Sequence, residues 1–157
     1  MSPQPPASSD PASLPWAEFG FPGPLRDKLV AAILDGSKTS TTTLLADYER
    51  ANKALPRVGA RCVLIDSADR PVAVLETTEV RVTALADVDL THVRDEGEGQ
   101  QSVAEWRIAH ERFFHSPQMR AALGDPSFTV DDQTPVVLER FRVIDPPPAM
   151  IDENRGR

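Results

Sequence analysis

The sequence predicts an α+β fold, a small and partly open β-barrel with helices packed around it, and three observations carry that expectation. A long segment from Val72 to about Thr83 alternates as a strand does, with shorter strand-like runs at 61–66 and 135–144. Helical stripes separate these runs without a regular strand–helix–strand repeat. The chain has 157 residues, 40% of them hydrophobic, which suits one domain with one core.

Residues 1–15 are rich in Pro and Ser, with Asp10 as their only charge, and read as a disordered tail. Residues 146–157, opening on Pro146-Pro147-Pro148, read as a second tail, which leaves 16–145 as the folded unit. Pro24 suits a first helical position, Leu25, Leu29, Ala32 and Ile33 form an apolar stripe, and Gly36 is a natural stop. The run from Ser37 to Thr43 is too β-branched and hydroxyl-rich for a helix interior. A second helix is expected to start within it and to carry Leu44, Leu45, Tyr48 and Ala51 before Pro56.

Residues 61–66 form a buried strand around Val63 and Ile65, followed by a turn at 67–71. The long strand then places Val72, Val74, Thr78, Val80 and Val82 on one face. Glu76 falls on that face as well, so either a bulge or solvated edge interrupts the phase there, or a carboxylate points inward. Residues 87–95 can form a short helix. After the loop Glu96-Gly97-Glu98-Gly99, Ser102 and Glu105 have capping-box spacing, so a helix starts at Ser102 and presents Val103, Trp106, His110 and Phe113 or Phe114. Residues 117–126 read as a region of low order, and Val137, Phe141 and Val143 belong to a final strand.

Composition narrows the function. A formal net charge of −7 argues against an extended basic groove along nucleic acid, but leaves room for a local pocket that takes one base or a short single strand. Cys62 is the only cysteine, so an internal disulfide and a cysteine zinc site are both excluded, and it reads as a core residue. No apolar run approaches the ~20 residues of a membrane span, and the N-terminus lacks a secretory pattern, so a cytoplasmic location is expected. Phosphate-loop, dinucleotide and zinc-protease signatures are missing, and His92, His110 and His115 lack zinc-finger spacing. Neither a cofactor nor a metal is expected.

What remains is Gly36-Ser37-Lys38-Thr39-Ser40-Thr41, a helix end followed at once by a lysine and a run of hydroxyls. A lysine in a partly enclosed site can act as a base, and a neighbouring hydroxyl as a nucleophile or oxyanion ligand. The same composition also suits a solvent-exposed loop that caps the next helix. Glu96 or Glu98 brought near Lys38 would supply a general acid or base, although a Glu/Gly run also suits a solvated connection. Trp106 and His110 lie one helical turn apart and fit either a core or a ligand-stacking role. Tyr48, on an apolar stripe, reads mainly as core.

Together, GSKTST after a helix, the VGARCVLID and VAVLETTEV strands, the EGEGQQSVAEWRIAHERFF block and the closing PVVLERFRV strand resemble the ASCH family of the PUA-like superfamily. The resemblance covers residues 16–145 and is closest to the bacterial subgroup with the EGEG…EWR…H…FF block. It implies a small β-barrel of about five to six strands with a cleft beside it, lined by Gly36, Lys38 and Thr41. Some family members are acetylcytidine amidohydrolases that use a lysine, a threonine and a glutamate, and others are described as ribonucleases on single-stranded RNA. Lys38 and Thr41 match the first two residues, and Glu96 is favoured over Glu98 or Glu76 for the carboxylate. Where the fuller motif continues to an arginine this chain has Thr43, and its loop around Glu96 is longer than in the compact amidohydrolases. The expected partner is RNA or a modified nucleoside, with Ser40, Tyr48, Glu98, Trp106 and His110 as binding residues. A non-catalytic RNA- or nucleotide-binding module and a protein-interaction domain are the alternatives.

Overall fold

The computed structural model describes residues 13–144. Its strands are β1 (Trp16–Ala17), β2 (Ser40–Leu44), β3 (Arg61–Ile65), β4 (Pro71–Ala84) and β5 (Pro135–Ile144). The α-helices are α1 (Pro24–Asp35), α2 (Leu45–Arg50), α3 (Leu90–Asp95), α4 (Val103–Phe114) and α5 (Pro117–Leu123). The strands form one mixed sheet in the order β1-β3-β4-β5-β2, so the α+β class holds, and the sheet is not closed into a complete barrel. Only β1 and β3 run parallel; every other pair is antiparallel.

Sequence and structure agree where local signals are strong. Helix α1 carries Pro in its first turn and ends on Gly36 at φ 89°, the left-handed conformation that glycine adopts at little cost. Ser102 caps α4 by accepting from the Glu105 amide at 3.1 Å, and Glu105 Oε2 accepts from the Gln101 amide. Elsewhere the expectations need correcting. The hydroxyl run opens no helix: Ser40–Leu44 is an edge strand paired to β5, and α2 begins only at Leu45. β-branched threonines favour that extended state once a partner strand is present.

Residues 117–126 are not of low order throughout, because Pro117–Leu123 is helical, capped by Ser116 and stopped by Gly124. In β4 the expected single apolar face gives way to burial on both sides at Ala73, Val74 and Leu75, while Val82 is 49% exposed. The register shift falls between Thr77 and Glu79, just past Glu76, whose carboxylate pairs with Arg61 and Arg142 near the surface. Residues 1–12 and 145–157, which include most of both expected tails, lie outside the described residues. Pro15, expected within the first tail, accepts from the Val63 amide at 2.8 Å and so joins the sheet edge.

The sheet packs on both faces. Leu44, Val136 and Leu138 meet Leu85, Val93, Trp106 and Phe114 in the larger core, beneath α3, α4 and α5. On the other face Phe141, Leu64 and Leu75 pack against Val30 and Ile33 of α1. Edge strand β2 therefore stands between two packed layers, and its alternate side chains enter different ones. Among the described residues no helix is long and apolar enough to cross a membrane.

Candidate functional site

Lys38 follows the turn at Gly36 and is 2% exposed, folded inward beside β2. Its Nζ donates to the Ser40 carbonyl at 2.8 Å, the Glu96 carbonyl at 3.4 Å and Glu98 Oε2 at 3.2 Å. Glu96 Oε1 lies 3.8 Å from the same nitrogen. Three acceptors for three N–H groups leave the ammonium fully engaged.

Glu96 is fully buried at the C-terminal end of α3. Its Oε2 accepts from Thr42 Oγ1 and lies 2.9 Å from His92 Nε2, while its Oε1 lies 3.1 Å from His110 Nε2. Burial alone would push this carboxyl up. The contacts from His110 and His92 and the charge of Lys38 outweigh that, and hold it well below the usual range.

Glu98 moves the other way. Burial raises it first, and its hydrogen bond with Glu96 adds to the shift, against the pull of Lys38. Two neighbouring carboxyls driven apart in this manner are a recurring arrangement for acid–base work. For His110, burial disfavours the charged ring, but its contacts with Glu96 and Glu98 win and raise its pKa. The ring geometry agrees. Nδ1 faces the Trp106 carbonyl at 3.0 Å, and Nε2 lies 3.1 Å from Glu96 Oε1, close enough for an ion pair though not aligned as a hydrogen bond, which favours the charged ring. Trp106 stacks on the ring with centroids 4.1 Å apart, fixing it in place.

The loop that supplies the glutamates needs its glycine. Gly97 adopts φ +64°, and a Cβ there would stand 2.1 Å from the Ser37 carbonyl oxygen and 2.9 Å from the Lys38 nitrogen. The close pass is stitched by the Thr39 amide donating to the Asp95 carbonyl at 2.8 Å. Glu-Gly-Glu thus works as a unit: the glycine permits the approach, and its neighbours reach Lys38 from either side.

A family model for the ASCH domain matches residues 16–145. The chain belongs to the ASCH family. Among solved structures, this ASCH protein is similar to the ASCH domain from Lactobacillus crispatus JV V101, with 28% identity over 74% of this chain and 70% of that one, at a TM-score of 0.64. It is also similar to a protein from Enterococcus faecalis V583, with 21% identity over 92% of this chain and 85% of the other, at a TM-score of 0.75. Comparison with curated proteins gave no match.

Within this ASCH domain the residues singled out from sequence divide. Lys38, Glu96, Glu98 and His110 converge, and buried Ser40 contributes its carbonyl to Lys38. Trp106 is fully buried and its stacking partner is His110, so it positions that ring instead of offering a face to a ligand. Gly36 terminates α1, its amide donating to the Ile33 carbonyl. Glu76 lies with Arg61 and Arg142, away from Lys38's partners. Thr41 pairs across the sheet with Glu139, on the face opposite Thr42, and Tyr48 lies on α2 near that same face.

Sequence reasoning missed Thr42 and His92. Thr42 Oγ1 is 2.8 Å from His92 Nε2, the nitrogen that also meets Glu96. Because both partners share one ring nitrogen, the trio is no Ser-His-Asp relay, which needs the carboxylate on the opposite nitrogen. The available signal was Asp89 capping α3, with His92 and Glu96 four apart on its inner face. Glu96, Glu98 and His110 also present ligand atoms within 4.8 Å of one another, but the Lys38 ammonium already lies against both carboxylates.

Proposed function

We propose that this ASCH domain binds a nucleobase-containing substrate, a modified nucleoside or a short single-stranded RNA, and hydrolyses it at the Lys38–Glu96–Glu98–His110 centre. The observation that carries this reading is the convergence of Lys38, Glu96, Glu98 and His110 in one cluster, with Glu98 and His110 on its partly exposed side. Glu98 is partly exposed, and its raised carboxyl suits a general base for water or for a ribose hydroxyl. His110 is 11% exposed and suits the general acid that protonates the leaving amine or oxygen. Lys38 and the buried Glu96 then act through charge. Lys38 holds Glu98 in place, and Glu96 keeps His110 protonated.

The roles differ from those implied by family resemblance alone. With all three N–H groups engaged, Lys38 is poorly disposed to accept a proton from Thr41, which faces away from this centre. Thr42 is the hydroxyl that meets Glu96. Incubating the full chain with N4-acetylcytidine and with single-stranded RNA tests the reading. Turnover of either one, lost in Lys38→Ala and Glu98→Gln, supports it. Binding of RNA without product identifies a non-catalytic module, and no response to either ligand favours a protein-interaction domain.

A further inference from the structure

A band of charge crosses the sheet on the face that carries Thr42. Strand β5 alternates, so Arg140 and Arg142 share this face with Leu138 of the larger core on one side and, on the other, Ile144, which packs on Val63, Ile65 and Val74. Register lays the band out in two rows. Ser40, Arg140 and Glu79 lie side by side on β2, β5 and β4, and Arg142, Glu76 and Arg61 on β5, β4 and β3. The register shift at Thr78 brings Glu76 and Glu79, an odd number of residues apart, to one face.

The first row belongs to the Lys38 centre. The Ser40 carbonyl accepts from Lys38 Nζ, and Arg140 Nη2 donates at 2.5 Å to Asp95, the residue before Glu96. Arg140 Nε faces Glu79 Oε2 at 3.0 Å, so this guanidinium is engaged on both sides. The second row has charge to spare. Arg142 Nη2 donates to Glu76 Oε2 at 3.0 Å, and Arg61 Nη2 lies 3.6 Å from the same oxygen. One carboxylate between two guanidiniums leaves a net positive charge, and among the described residues neither arginine side chain has another polar partner. Their side chains are 41% and 62% exposed for Arg61 and Arg142, against 19% for Glu76. Exposed ion pairs add little stability. What Glu76 does from its place in the apolar strand pattern is hold two guanidiniums together at the surface with most of their N–H donors unused.

We propose that Arg61 and Arg142 clamp a backbone phosphate of a single-stranded RNA whose base lies at the Lys38 centre, so that the substrate is an oligonucleotide and not a free nucleoside. The clamp rests on the nucleobase reading of that centre. It stands one row, about 7 Å along the strands, from the row that carries Ser40, within reach of a phosphate that neighbours the bound base. Guanidinium forks match the oxygens of a phosphate. A chain with net charge −7 offers no extended basic track, and a single clamp of this kind is a local exception to that charge.

Binding to the full chain over a series of salt concentrations tests it, by fluorescence anisotropy with a short labelled 2′-O-methyl single-stranded RNA, whose blocked ribose hydroxyls resist cleavage, and by calorimetry with cytidine. The parent is expected to bind the RNA about tenfold or more tightly than cytidine. Arg61→Gln combined with Arg142→Gln should weaken the RNA about tenfold, lower the slope of log affinity against log salt by about 0.7, and leave cytidine unchanged. Lysine at both positions should keep the slope, because the charge remains. Thermal unfolding of each variant shows that the fold is intact. RNA bound no more tightly than cytidine, or RNA affinity and slope unchanged in the folded double glutamine variant, would overturn the clamp and leave the Lys38 centre standing. A parent that binds neither ligand would overturn the nucleobase reading itself, and the clamp with it.

Discussion

Replacing Gly97 by alanine should damage this protein far more than replacing Gly99, although only one residue separates them. Both have positive φ, +64° and +89°, so alanine at either pays a conformational cost of about 1–2 kcal/mol. At Gly99 nothing lies within 4 Å of the new Cβ, and the cost stops there. At Gly97 the Cβ would meet backbone atoms at 2.1, 2.5 and 2.9 Å, and backbone cannot rotate aside. The 96–98 loop has to move off the 37–39 segment. That breaks the Thr39–Asp95 bond, at about 1 kcal/mol. It also draws Glu98 and Glu96 away from Lys38, and the partial loss of a buried ion pair adds a further ~1–2 kcal/mol, well short of the full cost of removing one partner. The expected total is about 3–5 kcal/mol for Gly97→Ala, against about 1–2 for Gly99→Ala. Urea unfolding of the two variants, with a common m-value, measures the difference. Equal destabilisation would refute the close approach on which the site rests.

How much of this was legible in the sequence depended on how local the cause was. Helix α1 with its Pro start and Gly stop, the capped α4, and β5 over 135–144 each carry their own signals within a few residues. Strand β2 does not, because its state is set by pairing with β5 about a hundred residues later, and the hydroxyl run reads equally well as a cap. Helix α5 has local signals too, since Ser116, Pro117 and Gly124 are an ordinary cap, first residue and stop, but at seven residues it is too short to show an apolar stripe. In the site, the Lys38–glutamate association was legible through the Glu-Gly-Glu run, whereas Thr42 in place of Thr41 depends on strand phase. His92 is a lone histidine whose role appears only when α3 brings it against β2. Glu139 sits in an apolar strand pattern, where one carboxylate reads as an exception until Thr77 of β4 is seen donating to it.

Other consequences can be checked together. If Glu98 is the base and His110 the acid, activity should be bell-shaped in pH, rising as Glu98 ionises above the usual carboxylate range and falling as His110 loses its proton above the usual imidazole range. A flat profile across that window would exclude the pair. Stability should follow the same groups. Glu96, depressed in the folded state, contributes above its unfolded pKa and loses that contribution as pH falls through its folded value, whereas His110, raised, contributes below its unfolded pKa and loses it as pH rises through its folded value. Melting temperature measured against pH should thus decline on the alkaline side, and His110→Ala should flatten that decline. Thr42→Val removes a donor from a buried carboxylate and should cost about 1–3 kcal/mol in chemical denaturation, while Thr41→Val should change stability by under about 0.5 kcal/mol.

The most direct measurement is single-turnover hydrolysis of N4-acetylcytidine and of a short single-stranded RNA by the parent chain and by Glu98→Gln, with ligand affinity measured alongside. Glutamine keeps the size of the side chain and the contact to Lys38 but cannot take a proton. Affinity is expected to be retained while the rate falls by about 10²–10⁴-fold. A Glu98→Gln protein that turns over substrate at the parental rate would contradict it.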